Sequence, residues 1–259
     1  MTIRTTAILN LKGGVAKTTT AVNMAAILAR DYKARVLVID ADSQCNTTEF
    51  FGSAVGEKTL AHILRLPDGY FDPALFCWSC IQHTDYRNVD IIPGDESLMD
   101  LDLSKVELGK VNVNILRQLV EGVKGLYDYI LIDCPPAFNA ASAAALVAAD
   151  DVIIPIKLDA FSLRGMGNLM RQVKNMRRIN PRLRVAGCLP TMWYNDPNVR
   201  ASEAQLREAG LPIFHHIRRS DKVDRMTWQQ DPLLISSPNS AAGVDYRKFV
   251  REYVGGGPK

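Results

Sequence analysis

Apolar residues along this chain follow two rhythms. Short apolar runs recur at Ala7-Ile8-Leu9 (closing on Asn10), Val36 to Ile39, Val89 to Ile92 (interrupted by Asp90), Tyr129 to Ile132, Val152 to Ile156 and Val185 to Leu189. Runs of this length without polar alternation are expected of strands buried on both faces. Between them, apolar positions recur at helical spacing. Thr18 to Arg30 carries Val22, Ala25, Ala26 and Ala29 on one face, and Val113 to Val123, Ala140 to Ala149 and Leu163 to Ile179 read similarly. Strand and helix in alternation predict an α/β fold: a single doubly wound, mostly parallel sheet flanked by helices. No repeat or linker divides the chain, so residues 1–254 are expected to form one domain, with 255–259 a disordered glycine-rich tail.

Composition narrows the class. At 47% apolar and 23% charged, the 259 residues can bury a sizeable core. No apolar run approaches the length of a membrane span, and five cysteines do not suggest a disulfide framework, so a cytoplasmic protein is expected. Cys77-Trp78-Ser79-Cys80 with His83 lacks the further ligands that structural zinc needs. His215-His216 reads as a strand–loop surface pair.

The chemistry begins where the first strand ends. Leu11-Lys12-Gly13-Gly14-Val15-Ala16-Lys17-Thr18-Thr19 has the strand–loop–helix setting in which backbone N–H groups and a helix N-terminus hold phosphate oxygens. Lys17 is placed to reach the β- and γ-phosphates and Thr18 to bind Mg²⁺. Leu11 and Ala16 stand where the strict pattern G-x-x-x-x-G-K-[ST] has glycine. The Ala16 methyl is compatible with such a loop only if its φ is negative. Two further strands end in carboxylates, Asp40-Ala41-Asp42 and Asp133-Cys134-Pro135-Pro136. Carboxyl ends of parallel strands converge on the ligand crevice of such sheets.

Together these segments resemble the ParA/MinD superfamily of P-loop ATPases, whose deviant Walker A motif reads K-G-G-x-x-K-[ST]. The resemblance implies that Lys12 is the signature lysine, reaching across a nucleotide-sandwich dimer. It also implies nucleotide contacts from Lys12, Gly13, Gly14, Val15, Ala16, Lys17, Thr18 and Thr19. Val38-Ile39-Asp40-Ala41-Asp42-Ser43-Gln44 resembles switch I, D-x-D-P-Q, with Asp42 orienting the attacking water and Asp40 supporting the Mg²⁺ shell. Asp133 to Pro136 resembles Walker B and switch II, D-x-P-P, which implies that Asp133 reaches Mg²⁺ through water. Gln44 to Thr48 is similar to Q-G-N-A-T, Asp90 to Gly94 to L-x-x-I-P-[SG]. Gly187 to Met192 is similar to G-x-L-x-T-M, which implies that Thr191 and Met192 lie beside adenine.

The likeness spans nearly the whole chain and is strongest to short, Soj-like members without an N-terminal helix-turn-helix domain. It implies an ATPase with ATP and Mg²⁺ as cofactors, slow without its partner. An ATP-bound homodimer would bind nonspecific double-stranded DNA and be released by a ParB-like protein, at the nucleoid and not at a membrane. A net charge of only +3 makes placement decisive, and arginines gather late in the chain. Ile217 to Met226 resembles the DNA-touching segment I-P-R-N-x-R-L-S-E-A, so Arg218, Arg219, Lys222 and Arg225 are DNA candidates, with Arg200 nearby. Asp196 stands where relatives often carry arginine. Two alternatives are a MinD-like membrane-surface ATPase and a nucleotide-gated binding protein with little turnover. Tyr246 to Val254 reads as a last packed helix and not as a lipid anchor, which weighs against the first. Ala16 and Ser43 would favour the second.

Overall fold

A computed structural model describes residues 3–53, 58–66, 79–107 and 110–258. Seven strands form one sheet: β1 (Arg4–Ile8), β2 (Val36–Asp40), β3 (Gln82–His83), β4 (Val89–Ile92), β5 (Tyr129–Asp133), β6 (Asp151–Lys157) and β7 (Arg184–Thr191). Their spatial order is β3-β4-β2-β5-β1-β6-β7, and all are parallel except the edge pair β3–β4. The α/β expectation therefore holds. The short antiparallel β3 was not legible, because two residues carry no periodicity.

The unbroken apolar runs divide between two cores by side-chain alternation. Leu37, Ile39, Ile130, Ile132, Val152, Ile154 and Ile156 face one layer, packed with the helices Ile115–Gly122 and Ala140–Ala148. Val36, Val38, Leu131 and Ile153 face the other, packed with helix α1 (Lys17–Asp31) and the helix Ala241–Val254. Tyr246, Phe249, Val250 and Tyr253 of that last helix are buried, as a packed helix requires.

Beyond β7 the segment 212–219 runs as an irregular further edge. Phe214 N–H donates to Cys188 O (2.9 Å), Ile217 N–H to Pro190 O (2.7 Å) and Trp193 N–H to Ile217 O (2.9 Å). Its outer N–H groups meet carboxylates of the last helix: His215 N donates to Glu252 (2.8 Å) and Arg218 N to Asp245 (3.1 Å). An edge capped this way has no open ladder to offer another strand. His215 also bonds Asp245 (3.1 Å), and His216 stacks on Trp193 with ring centroids 3.8 Å apart. These histidines are thus partly buried network members rather than a free surface pair. Cys80 is buried, and burial raises its thiol pKa. Cys77 lies outside the described residues.

Candidate nucleotide site

The carboxyl ends of β1, β2, β5 and β6 open into a cavity of about 1060 Å³. Gly13, Gly14, Ala16, Lys17, Thr18, Thr19, Asp42, Thr191 and Met192 line it, so most of the expected nucleotide residues do converge. Val15 is buried beneath the loop. The loop's carbonyls are tied down from behind. Lys17 Nζ donates to Lys12 O (3.3 Å), Thr191 Oγ1 to Val15 O (3.1 Å) and Thr20 Oγ1 to Ala16 O (2.7 Å). The first backbone N–H to return to the loop is that of Thr20, which leaves those of Gly13 to Thr19 for a ligand. A row of such donors at a helix N-terminus is an anion site by construction. Lys17 is buried, which lowers its pKa, while Asp133 and Asp42 act in the opposite sense.

The condition set for Ala16 is not met. Its φ is +67°, in the left-handed region, as is that of Gly14 at +68°. Cys45, at the glycine position of the Q-G-N-A-T likeness, has φ +55°, and Met192 has φ +51°. The glycine conformation is thus kept where the glycine is not, at a strain of about 1–2 kcal/mol per residue. The reason is over-determination: the surrounding hydrogen bonds fix the path of the loop whatever side chain it carries.

Asp133 is at the centre of the acidic side. Its Oδ2 accepts from Thr18 Oγ1 (2.6 Å) and Thr47 Oγ1 (2.7 Å), while its buried Oδ1 has no partner. A carboxylate oxygen without a protein partner beside two hydroxyls is the donor set of a hard cation, so Thr18 and Asp133 suit Mg²⁺. Burial raises the Asp133 pKa to about 6, against the hydrogen bonds from Thr18 and Thr47. Thr47 was missed as a site residue, although the Gln44–Thr48 segment had been singled out.

Asp40 pairs in register with Asp133 on the neighbouring strand. Both its oxygens are used within the protein: Oδ2 accepts from Thr48 N (2.8 Å) and Thr48 Oγ1 (2.7 Å), and Oδ1 from Asp42 N (3.2 Å). Thr48 Oγ1 in turn accepts from Gly94 N (2.9 Å). Asp40 therefore shapes the loop that presents Asp42. Burial and the neighbouring Asp133 raise its pKa to about 7. Asp42 lies past the strand end, where it accepts from Gln44 N (3.1 Å).

Lys12 does not enter its own phosphate loop. Its ammonium reaches Asp159 (2.8 and 2.9 Å) and Ser162 Oγ (3.1 Å), and its side chain remains 37% exposed. Asp159 caps the helix Ala160–Met176. Although burial opposes it, hydrogen bonds from Lys12 and Ser162 hold its pKa down at about 2. Neither partner was foreseen, yet Asp159-x-x-Ser162 is a legible cap signal.

Of the DNA candidates, Arg218 and Arg219 lie in the segment leading into the helix Asp221–Gln229, and Lys222 and Arg225 lie within it. The Arg218 guanidinium is engaged by fully buried Asp245 through two bonds (2.7 and 2.9 Å). Lys222 lies 3.6 Å from Asp221. Arg200, Arg219 and Arg225 are exposed. Asp196, in place of the relatives' arginine, caps the helix Pro197–Glu208 through Asn198 N (2.8 Å).

Sheet topology, donor-rich loop and orphaned carboxylate together define a P-loop nucleotide-binding protein. A family model described as an AAA domain matches residues 3–185. Sporulation initiation inhibitor protein Soj of Bacillus subtilis is 38% identical, covering 97% of this chain and 98% of Soj. Chromosome partitioning protein ParA of Caulobacter vibrioides is 32% identical, covering 97% of this chain and 94% of ParA. Cobyrinic acid a,c-diamide synthase from Mycobacterium smegmatis, solved with an ATP analog and magnesium, matches with a TM-score of 0.78 at 26% identity, covering 97% and 94%. The chain belongs to the ParA/MinD superfamily of nucleotide-hydrolysing P-loop ATPases, among its ParA/Soj-type members.

Proposed function

We propose that this protein is a partition-type ATPase, which uses ATP to switch its own dimerisation and DNA attachment. One observation carries the reading most of the way: Lys12 is turned out of its own phosphate loop and held at the surface by Asp159. A lysine so placed is available to the phosphates of a second copy once that ion pair opens. An exposed pair of this kind is worth about 0–1 kcal/mol, so its loss is a small barrier.

Within one subunit, the N–H groups of Gly13 to Thr19 and Lys17 would hold the phosphates. Thr191 and Met192 would lie beside the base. Asp42 would orient water, with its loop set by Asp40. Thr18 and Asp133 would hold Mg²⁺, which supplies charge neutralisation at the phosphates. The dimer would bind duplex DNA without sequence preference through Arg200, Arg219, Lys222 and Arg225, with Arg218 shaping the segment from its seat on Asp245. Its site of action is the nucleoid in the cytoplasm. A ParB-like partner would accelerate hydrolysis and so release it. Among the described residues, no helix is long and apolar enough to cross a membrane.

Retention of unrelated duplexes on purified protein with ATP, ADP or no nucleotide tests the reading, with Arg219→Ala/Lys222→Ala as control. ATP-dependent, salt-sensitive retention lost in that variant supports it. No retention under any nucleotide overturns it, and ATP-dependent binding to anionic vesicles would then favour a membrane-surface ATPase.

A further inference from the structure

Trp228 is 89% exposed, more than any other large apolar side chain among the described residues. A free indole of this size is unusual on a soluble surface. It sits near the end of the helix Asp221–Gln229, which Met226 anchors in the core beside α1 and the last helix. Lys222, Arg225 and Trp228 follow one another at i, i+3 spacing, so they form a continuous row on that helix. The exposed residues beside the indole in sequence and one turn before it, Asp224, Arg225, Thr227, Gln229 and Gln230, are all polar. Trp228 is thus a solitary aromatic among polar groups rather than the centre of an apolar patch. A protein partner seated there would have to desolvate the Arg225 guanidinium, whereas a polyanion would neutralise it. Asp221 and Asp224 lie in the first turn, where they favour the helix N-terminus. A polyanion on this helix would meet Lys222 and Arg225 along the row that ends at Trp228, with Asp224 on its flank.

We propose that Trp228 is a direct contact to double-stranded DNA. Its indole packs against sugars and bases in the minor groove, while Arg219, Lys222 and Arg225 meet flanking phosphates. Such an apolar contact tolerates any sequence and does not release counterions. This inference rests on the DNA-binding reading above and adds a component of affinity that salt does not screen.

The test is ATP-dependent retention of a random-sequence duplex across a salt series, for the unaltered protein, Trp228→Ala, Trp228→Phe and Lys222→Ala/Arg225→Ala. Trp228→Ala is expected to weaken binding about tenfold at every salt concentration with an unchanged salt slope. Trp228→Phe should keep most of the affinity and lose the change in tryptophan emission on adding DNA. The double variant should lower the slope by roughly 2. Basal ATPase of Trp228→Ala should match the unaltered protein, which shows that it folds. If Trp228→Ala binds DNA normally while the double variant does not, the inference fails and the DNA reading stands. If no form binds DNA, both fail. If Trp228→Ala loses vesicle attachment or dimerisation with DNA retention intact, the indole serves another surface and the inference is overturned.

Discussion

Replacing Ala16 with glycine should stabilise the protein, although it deletes a methyl group from a structured loop. Ala16 has φ +67° and ψ 37°, a conformation costing an L-residue about 1–2 kcal/mol that glycine adopts freely. Against this, glycine widens the unfolded ensemble by about 0.4–1 kcal/mol. The difference is a gain of roughly 0.5–1 kcal/mol, or about 1–4 °C in Tm for a chain of this size. The assay is urea unfolding of nucleotide-free protein, read as a rise in midpoint at unchanged m-value. Ala25→Gly is the control. Ala25 is fully buried in the middle of α1, so the same chemical change there should destabilise by about 2 kcal/mol through helix propensity and lost burial. Cys45→Gly, at φ +55°, should share the sign of Ala16→Gly. A midpoint that falls for Ala16→Gly, as for Ala25→Gly, would refute the claim that the loop holds a glycine conformation under strain.

Two further predictions concern buried carboxylates. Asp40 and Asp133 have folded pKa values of about 7 and about 6, above the ~3.9 of an unfolded aspartate. Raised values mean that the folded state binds more protons, so their contribution to stability is full below pH ~3.9 and is lost as pH rises through about 7. Nucleotide-free protein should therefore become more stable from pH 8 to pH 6 by urea midpoint, and Asp133→Asn should flatten that dependence; a profile rising toward pH 8 would contradict it. Separately, Asp245→Ala should cost about 1–3 kcal/mol by chemical unfolding, since it leaves the Arg218 N–H and His215 without their carboxylate partner, while the half-exposed Arg218 guanidinium turns to water. A cost below about 1 kcal/mol would mean that water replaces the carboxylate.

Much of this arrangement was legible, for reasons that separate the two halves of the site. Val36 to Ile39 and Tyr129 to Ile132 could be read as doubly buried strands because an unbroken apolar run has few other uses, and Asp40 and Asp133 followed as their ends. The strand bounds differed by a few residues, as with Arg4–Ile8 in place of Ala7 to Asn10, because pairing and not hydrophobicity sets where a strand starts. The Ala16 backbone is not legible in the sequence because residue identity alone does not determine φ: hydrogen bonds from Thr20, Thr191 and Lys17 hold the path of the loop. Asp159, Thr47 and Asp245 were missed as partners of Lys12, Asp133 and Arg218 because those pairs are 147, 86 and 27 residues apart. Only the fold brings them together. The helices Pro197–Glu208 and Asp221–Gln229 escaped notice because their mostly polar exposed sequences carry little apolar period.

The proposed dimer requires that Lys12 serve a second copy of the chain. The direct measurement is molar mass in solution by light scattering, using Asp42→Ala to hold ATP unhydrolysed, with ADP and Lys12→Ala as comparisons. A dimer with ATP that is monomeric with ADP, and monomeric under either nucleotide once Lys12→Ala is added, is the predicted result. An ATP-loaded protein that remains monomeric, or a Lys12→Ala form that dimerises as readily, would contradict it.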